Sequence, residues 1–335
     1  MESILITGAS GFIGSFLVEE ALRRGLEVWA GVRATSSRRY LNDPRIHFLE
    51  LDFANPDALR ARLSGHKDIG NRFDYIVHCA GVTKCSDKRT FDEVNYLQTR
   101  CFIETLSGLD MVPKQFVYIS TLSVFGPVRE KDYTPIEPGD TPKPNTAYGF
   151  SKLKAEQYIR SLPGFPYVIY RPTGVYGPRE SDYFLMAKSI RKHVDFSVGF
   201  RRQDLTFVYV KDIVQAVFLG IEKKIARKAY FLTDGGVYSS RAFSRLIQKE
   251  LGNPLVLHLK CPLIVLKVIS LFAEFIATRS GKSSTLNSDK YKIMKQRNWQ
   301  CDITPAIDEL GYAPEYDLEK GVRETIAWYK NEGWL

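Results

Sequence analysis

Three glycines near the start constrain this chain more than any other stretch. Ser3-Ile4-Leu5-Ile6-Thr7 is a short β-prone run, Gly8-Ala9-Ser10-Gly11-Phe12-Ile13-Gly14 follows it, and Leu17, Leu22 and Arg24 continue at helical spacing. A strand that feeds a glycine turn and opens a helix gathers free backbone N–H groups at one point, where a phosphate is attracted. Gly8 is expected to make the tight turn, Gly11 to let the chain approach a pyrophosphate, and Gly14 to bring the helix close to the strand. The spacing G-x-x-G-x-x-G differs from G-x-G-x-x-G, and three glycines can also make a flexible turn. The strand before and the helix after favour a dinucleotide site with Gly8, Gly11, Phe12, Ile13 and Gly14 as candidate contacts.

The next segments repeat the strand-then-helix pattern. Glu27 to Arg33 reads as a second strand. An acid that would hold a ribose 2′-hydroxyl is expected about 20 residues past the turn, but Arg33 stands there, with Arg38 and Arg39 following. A guanidinium suits a 2′-phosphate, so NADP(H) is favoured over NAD(H). A third strand, Ile46 to Leu51, runs into Asp52-Phe53, a carboxylate and a ring able to bracket an adenine. A fourth, Tyr75 to His78, ends in Cys79-Ala80-Gly81, where small side chains let a cofactor cross the sheet. A fifth, Phe116 to Ile119, ends in Ser120-Thr121-Leu122-Ser123. A loop from Pro127 to Pro144 follows, and Asn145 or Thr146 can cap the next helix. Further strands are expected at Tyr167 to Tyr170, which runs into Arg171-Pro172, at Thr206 to Val210, before a helix from Ile213, and at Ala229 to Leu232. Strands alternating with helices give an α/β fold with a doubly wound parallel sheet. We expect residues 1–174, with returns at about 206–235, to form the dinucleotide-binding domain, and 175–205 with 236–335 a smaller substrate lobe.

The helix after the loop carries Tyr148-Gly149-Phe150-Ser151-Lys152. Residues four apart lie on one face about 6 Å apart along the axis, which puts Lys152 one turn from the Tyr148 ring. A phenol titrates near ~10, so work at neutral pH needs its anion favoured by roughly 3 to 4 kcal/mol. A neighbouring ammonium and an oxidised nicotinamide are positive charges able to supply that. The pattern also occurs at Tyr291 with Lys295 and Tyr316 with Lys320, but both lie in the C-terminal segment. Only Tyr148 follows a strand that ends in hydroxyl residues.

Composition adds limits. The 335 residues are 44% apolar and 25% charged, ordinary for a folded globular chain. The net charge of +9 is spread along the sequence, without a nucleic-acid-binding signature, and is read as a solvated basic surface with an anionic ligand. Five widely spaced cysteines and five histidines form no C-x-x-C pair or ligand cluster, so reduced thiols and no metal are expected. Met1 and Glu2 lead directly into the first strand, and a cytoplasmic protein is expected. From Leu263 to Ile276 the chain is mostly apolar, with Lys267, Ser270 and Glu274 as a polar stripe on a helix too short and charged to span a bilayer. Such a helix can pack over a substrate site, lie on a membrane surface or form a dimer contact.

Taken together, these residues resemble the extended short-chain dehydrogenase/reductases, also called the NAD-dependent epimerase/dehydratase family. The likeness rests on Thr7-Gly8-x-x-Gly11-x-x-Gly14, Asp52, Cys79-Ala80-Gly81, Ser120-Thr121-x-x-Val124-Phe125-Gly126, Tyr148-x-x-x-Lys152, Arg171-Pro172, Val175-Tyr176-Gly177-Pro178, Asp212 and the tail from Leu310 to Tyr329. It implies a Rossmann fold and a homodimer, Tyr148 as acid and base, Lys152 on the nicotinamide ribose, and Thr121 on the substrate oxygen. Pro172, with Tyr148 and Lys152, would also touch the cofactor. Nucleotide-sugar epimerases carry an Asn where Gly174 stands, and an Arg-Asp-Phe motif where this chain has Leu205-Thr206-Phe207. Sugar 4,6-dehydratases carry Asp-Glu where Leu122-Ser123 stands, which argues against that chemistry. The resemblance therefore leans to the 3β-hydroxysteroid dehydrogenase and dihydroflavonol reductase branches, implying reversible carbonyl/alcohol oxidoreduction. A nucleotide-sugar epimerase is the alternative, and a non-catalytic cofactor-binding sensor a second one.

Overall fold

The computed structural model describes residues 1–85, 87–280 and 287–335. Six strands, β1 (Ser3–Thr7), β2 (Glu27–Val32), β3 (His47–Glu50), β4 (Tyr75–His78), β5 (Gln115–Ile119) and β6 (Tyr167–Pro172), are joined by a closing strand at Lys228–Leu232. They form one seven-stranded sheet in the order closing strand, β6, β5, β4, β1, β2, β3. β1 runs parallel to both β2 and β4, with Thr7 level with Gly31 on one side and His78 on the other. The strand order therefore reverses at β1, as it does in doubly wound sheets.

Long apolar runs explain the central strands. Ile4, Leu5 and Ile6 of β1 and Ile76 and Val77 of β4 have no exposed surface, as expected where helices cover both faces of a parallel sheet. Leu59, Leu63, Phe102, Ile103, Leu106, Ala155 and Ile159 from the covering helices meet Ile76, Phe116 and Ile169 in one apolar core. Ends of elements shift by one to three residues against the sequence reading. The strand expected at Ile46 to Leu51 is His47–Glu50, and the helix expected from Ile213 starts at Val210 and runs to Glu222.

The chain divides into two compact units. The first comprises residues 1–121, 150–171 and 214–230, and the second 122–149, 172–213 and 231–335. In the second unit, Phe207–Tyr209 pairs in parallel with Gly174–Tyr176 as a separate two-stranded ribbon. Its core is aromatic, built from Tyr176, Phe207, Tyr209, Phe243 and Tyr329 around Ile247, Val322 and Ile326. Another ribbon pairs Val194–Val198 with Leu257–Cys261, and the helix Leu263–Ser280 follows it directly.

The sheet and its first helix meet without a spare atom. A Cβ on Gly14 would lie 2.2 Å from the Gly8 carbonyl oxygen and 2.9 Å from the Ala9 Cα. Gly65, inside the helix Pro56–Asp68, faces open space. Gly14→Ala should cost about 3 kcal/mol through overpacking, while Gly65→Ala should gain about 0.5–1 kcal/mol from helix propensity. Urea unfolding of the two variants tests this, and a shift of the same sign in both would contradict the packing described.

Candidate active site

The first part of the site is backbone. Gly8 adopts φ +65°, and a Cβ there would come within 2.8 Å of the Ala80 nitrogen, so the β1 and β4 ends touch through it. Gly11 is the N-cap of the helix Phe12–Arg23, with no side-chain cap and no acid in the first turn. The first-turn N–H groups at Phe12, Ile13 and Gly14 thus remain open to an anion. An uncapped helix N-terminus of this kind fits a dinucleotide phosphate.

Beside it, Thr7 Oγ1 lies 2.8 Å from His78 Nδ1, and His78 Nε2 lies 3.0 Å from Thr99 Oγ1. Burial pushes the His78 pKa down to about 3, aided by the Lys152 charge. His78 is therefore a neutral strut between β1 and the helix carrying Thr99. Arg33 is exposed immediately after β2, and Asp52 is exposed just beyond β3, its Oδ1 accepting from the Ala54 N–H. Phe53 is half-buried, its ring edge-on to His78 and Phe102.

The second part is the helix Ala147–Ser161. Thr146 Oγ1 accepts from the Gly149 N–H at 3.0 Å, and the Ala147 N–H donates to Asp289 at 2.7 Å, so the cap is made by Thr146 rather than Asn145. Tyr148 is half-buried in the first turn. Lys152, one turn on, is 5% exposed and donates from Nζ to the Ile119 carbonyl at 2.8 Å, above the Tyr118 ring at 4.6 Å. Burial lowers its pKa to about 8, against weaker attraction from Cys79 and Glu156. Burial likewise pushes the Cys79 thiol up to about 12, which leaves it protonated.

Glu156 does not neutralise Lys152, because its carboxylate is already engaged. Arg171 donates to it from Nε at 3.1 Å and from Nη2 at 2.5 Å, and the Ser120 hydroxyl donates at 2.5 Å. All three residues are buried. Ser120 is thus committed to structure, and Thr121, 9% exposed, is the next hydroxyl at the end of β5.

Asn95 is a residue that the sequence reading did not single out. It lies on a π-helical turn, Glu93–Leu97, a form often found at functional sites. Its Oδ1 accepts from the Val82 N–H at 2.8 Å, and its Nδ2 donates to the Val82 carbonyl and to Ser151 Oγ, each at 3.0 Å. A Cβ on Gly81 would lie 2.8 Å from Asn95 Oδ1 and 3.5 Å from Lys152 Nζ. Asn95 therefore ties the loop after β4 to the helix that carries Lys152. A local break in helical register leaves no mark in the hydrophobic pattern.

Within the second unit, a cavity of about 400 Å³ is lined by Val175, Glu180, Asp182, Tyr183, Leu185, Met186 and Lys290. Lys290 pairs with Asp182 at 3.3 Å. Pro172, at the end of β6, is buried. Tyr291 with Lys295 and Tyr316 with Lys320 both belong to the second unit. Among the described residues, no group of three or more His, Cys, Asp or Glu side chains is arranged to hold a metal, and no helix is long and apolar enough to cross a membrane.

A doubly wound sheet with an uncapped glycine turn and a Tyr-x-x-x-Lys helix defines a dinucleotide-binding α/β enzyme. The NAD dependent epimerase/dehydratase family model matches residues 4–231, and the chain belongs to that family. Its relatives include the uncharacterized UDP-glucose epimerase YtcB of Bacillus subtilis, 26% identical over 97% of each chain. A decarboxylating sterol-4-alpha-carboxylate 3-dehydrogenase of Candida albicans is 23% identical over 99% of each. Among solved structures, UDP-glucose 4-epimerase of Thermotoga maritima with UDP-glucose superposes at a TM-score of 0.77, 20% identical, covering 98% of this chain and 99% of that one.

The buried ammonium makes a measurable claim. Lys152 titrates near 8 in the folded protein and at 10.5 when exposed. Below about pH 8 both states hold the proton, and folding bears the full cost of burying the charge, about 3 kcal/mol. Between the two values the unfolded chain binds more protons, so stability rises with pH. Relative to Lys152→Met, the wild type should therefore gain up to about 3 kcal/mol on going from pH 8 to 10.5. Denaturant unfolding of both proteins across that range measures it, and a constant difference would mean that the ammonium is not buried.

Proposed function

We propose that this protein is an NAD(P)-dependent oxidoreductase that interconverts a carbonyl and a secondary alcohol. The observation that carries the reading is the ammonium of Lys152, sealed from water without a carboxylate of its own, one helical turn from a phenol. Burying a charge without an ionic partner is costly, and the buried ammonium favours ionisation of the neighbouring phenol.

The residues divide the work as follows. Gly8, Gly11, Phe12, Ile13 and Gly14 would hold the pyrophosphate, Asp52 and Phe53 the adenine, and Ala80, Gly81, Tyr148, Lys152 and Pro172 the nicotinamide side. When bound, the dinucleotide supplies or receives the hydride. Tyr148 passes a proton from its phenolic oxygen to the substrate oxygen in reduction and takes it back in oxidation. The Thr121 hydroxyl holds that oxygen, and the Lys152 ammonium lowers the cost of the phenolate. Arg33, free of an adjoining acid on its strand, favours NADP(H). Five cysteines that are all free thiols agree with a reducing, cytoplasmic setting.

The substrate we propose is apolar or mixed and carries no diphosphate. Thr206 spends its hydroxyl on the Trp299 carbonyl at 2.5 Å, and Arg202 is held by Asp204 through two bonds of 2.5 and 2.7 Å. Within the cavity at Tyr183, Glu180 and Asp182 outnumber Lys290, which suits a neutral or cationic group better than a diphosphate. Epimerisation of a nucleotide sugar is the second reading, favoured by relatives that bear that name.

Two measurements test this reading. Tyr148→Phe should lower kcat for NADPH-dependent reduction of steroid and flavanonol ketones by about 100-fold or more. Its affinity for NADPH, read by fluorescence titration, should stay unchanged, and full turnover would overturn the assignment. Arg33→Ala should weaken NADPH binding by about tenfold or more and leave NADH alone. If NADH binds tighter from the start, and UDP- or GDP-hexoses are epimerised without net cofactor turnover, the epimerase reading prevails.

A further inference from the structure

The helix Leu263–Ser280 buries little of its apolar surface. Among its described side chains, Leu266 and Ser270 are buried and Leu263, Ala273 and Glu274 half-buried, an inward stripe of mixed polarity. Ser270 donates to the Leu266 carbonyl, and Glu274 accepts from the Ser288 N–H at 3.0 Å. Ile264, Val265, Val268, Ile269, Leu271, Phe272 and Ile276 face outward, from 46% to 79% exposed. The ribbon leading into the helix continues this surface. Leu257 is 62% and Phe196 61% exposed, on two paired strands of which Leu257–Cys261 leads into the helix. A contiguous apolar surface of this kind is rare on a soluble protein and marks an interaction site.

The exposed charges of the helix have one sign. Lys267 and Arg279 are exposed, while the helix's one carboxylate, Glu274, is drawn inward. Lys260, on the other face of the ribbon from Leu257 and Phe196, lies beside the Phe200 ring. We infer that the helix Leu263–Ser280 and the strand Leu257–Cys261 before it seat this protein on an anionic lipid surface. An apolar face rimmed by cations lies in the plane of such a surface, with side chains among the acyl boundary and ammonium groups on the phosphates. The helix does not meet the requirements of a span, so it rests on the bilayer without crossing it. A second copy of the chain is the poorer occupant. A two-fold contact would set Lys267 and Arg279 against a surface with the same cations and no outward carboxylate on the helix.

Sedimentation of the full chain with vesicles tests the inference. Wild-type protein should pellet with vesicles of phosphatidylcholine and phosphatidylserine, and much less with phosphatidylcholine alone or at high salt. Val268→Glu with Phe272→Glu should abolish pelleting. Lys260→Glu with Lys267→Glu should weaken it by about fivefold per cation removed, or more. NADPH titration and thermal unfolding should match wild type in both variants, because these side chains already face water. The inference is overturned if wild type stays in the supernatant with both vesicles, or if the glutamate pair leaves pelleting unchanged. It is also overturned if sedimentation velocity shows a dimer that Phe272→Glu dissociates while vesicles capture neither protein.

Discussion

The Glu156 carboxylate is the constraint on which the site depends. It receives Arg171 from β6 and Ser120 from the end of β5, and it rides on the same helix as Tyr148 and Lys152. A buried ion pair adds little net stability, because desolvation offsets the attraction, but breaking one partner is costly. Its value here is geometric. With Glu156 fixed by two strands, the helix can neither roll nor slide, and the Lys152 ammonium stays on the Ile119 carbonyl. Asn95 provides a second anchor through Ser151, so consecutive residues of the helix carry different duties.

Charge burial in the first unit follows one plan. His78 is held neutral between two threonine hydroxyls, Cys79 is held as a thiol, and Lys152 keeps a weakened ammonium. Among these three only the lysine can carry charge near neutral pH. The strand ends at β4 and β5 thus set the Lys152 ammonium beside a neutral imidazole and a neutral thiol.

Much of the fold was legible because its signals are local. Tyr75 to His78 is a strand from end to end, an apolar run closed by small residues, and the glycine turn sits where the strand and helix on either side require. What was not legible is what depends on distant partners. Thr206 to Val210 has the composition of a strand, yet its neighbour is Gly174–Tyr176 and not the large sheet. Glu156 and Arg171 look like surface charges until the fold brings them together. The polar stripe of the helix Leu263–Ser280 was visible, but periodicity says nothing about which stripe faces inward. Of the candidate site, the placing of Tyr148 and Lys152 one turn apart on a single helix followed from spacing, whereas Asn95 sits on a widened turn that no pattern announces.

The helix Ala147–Ser161 carries a consequence for how such a chain can change over time. Gly149 abuts the Ser123 carbonyl, Ser151 meets Asn95, Lys152 meets Ile119, and Glu156 meets Arg171. Each added or deleted residue turns everything downstream by about 100°. An insertion between Thr146 and Glu156 would misalign these partnerships at once, so drift here must proceed by replacing letters without altering their number, while the loops on either side remain open to change in length.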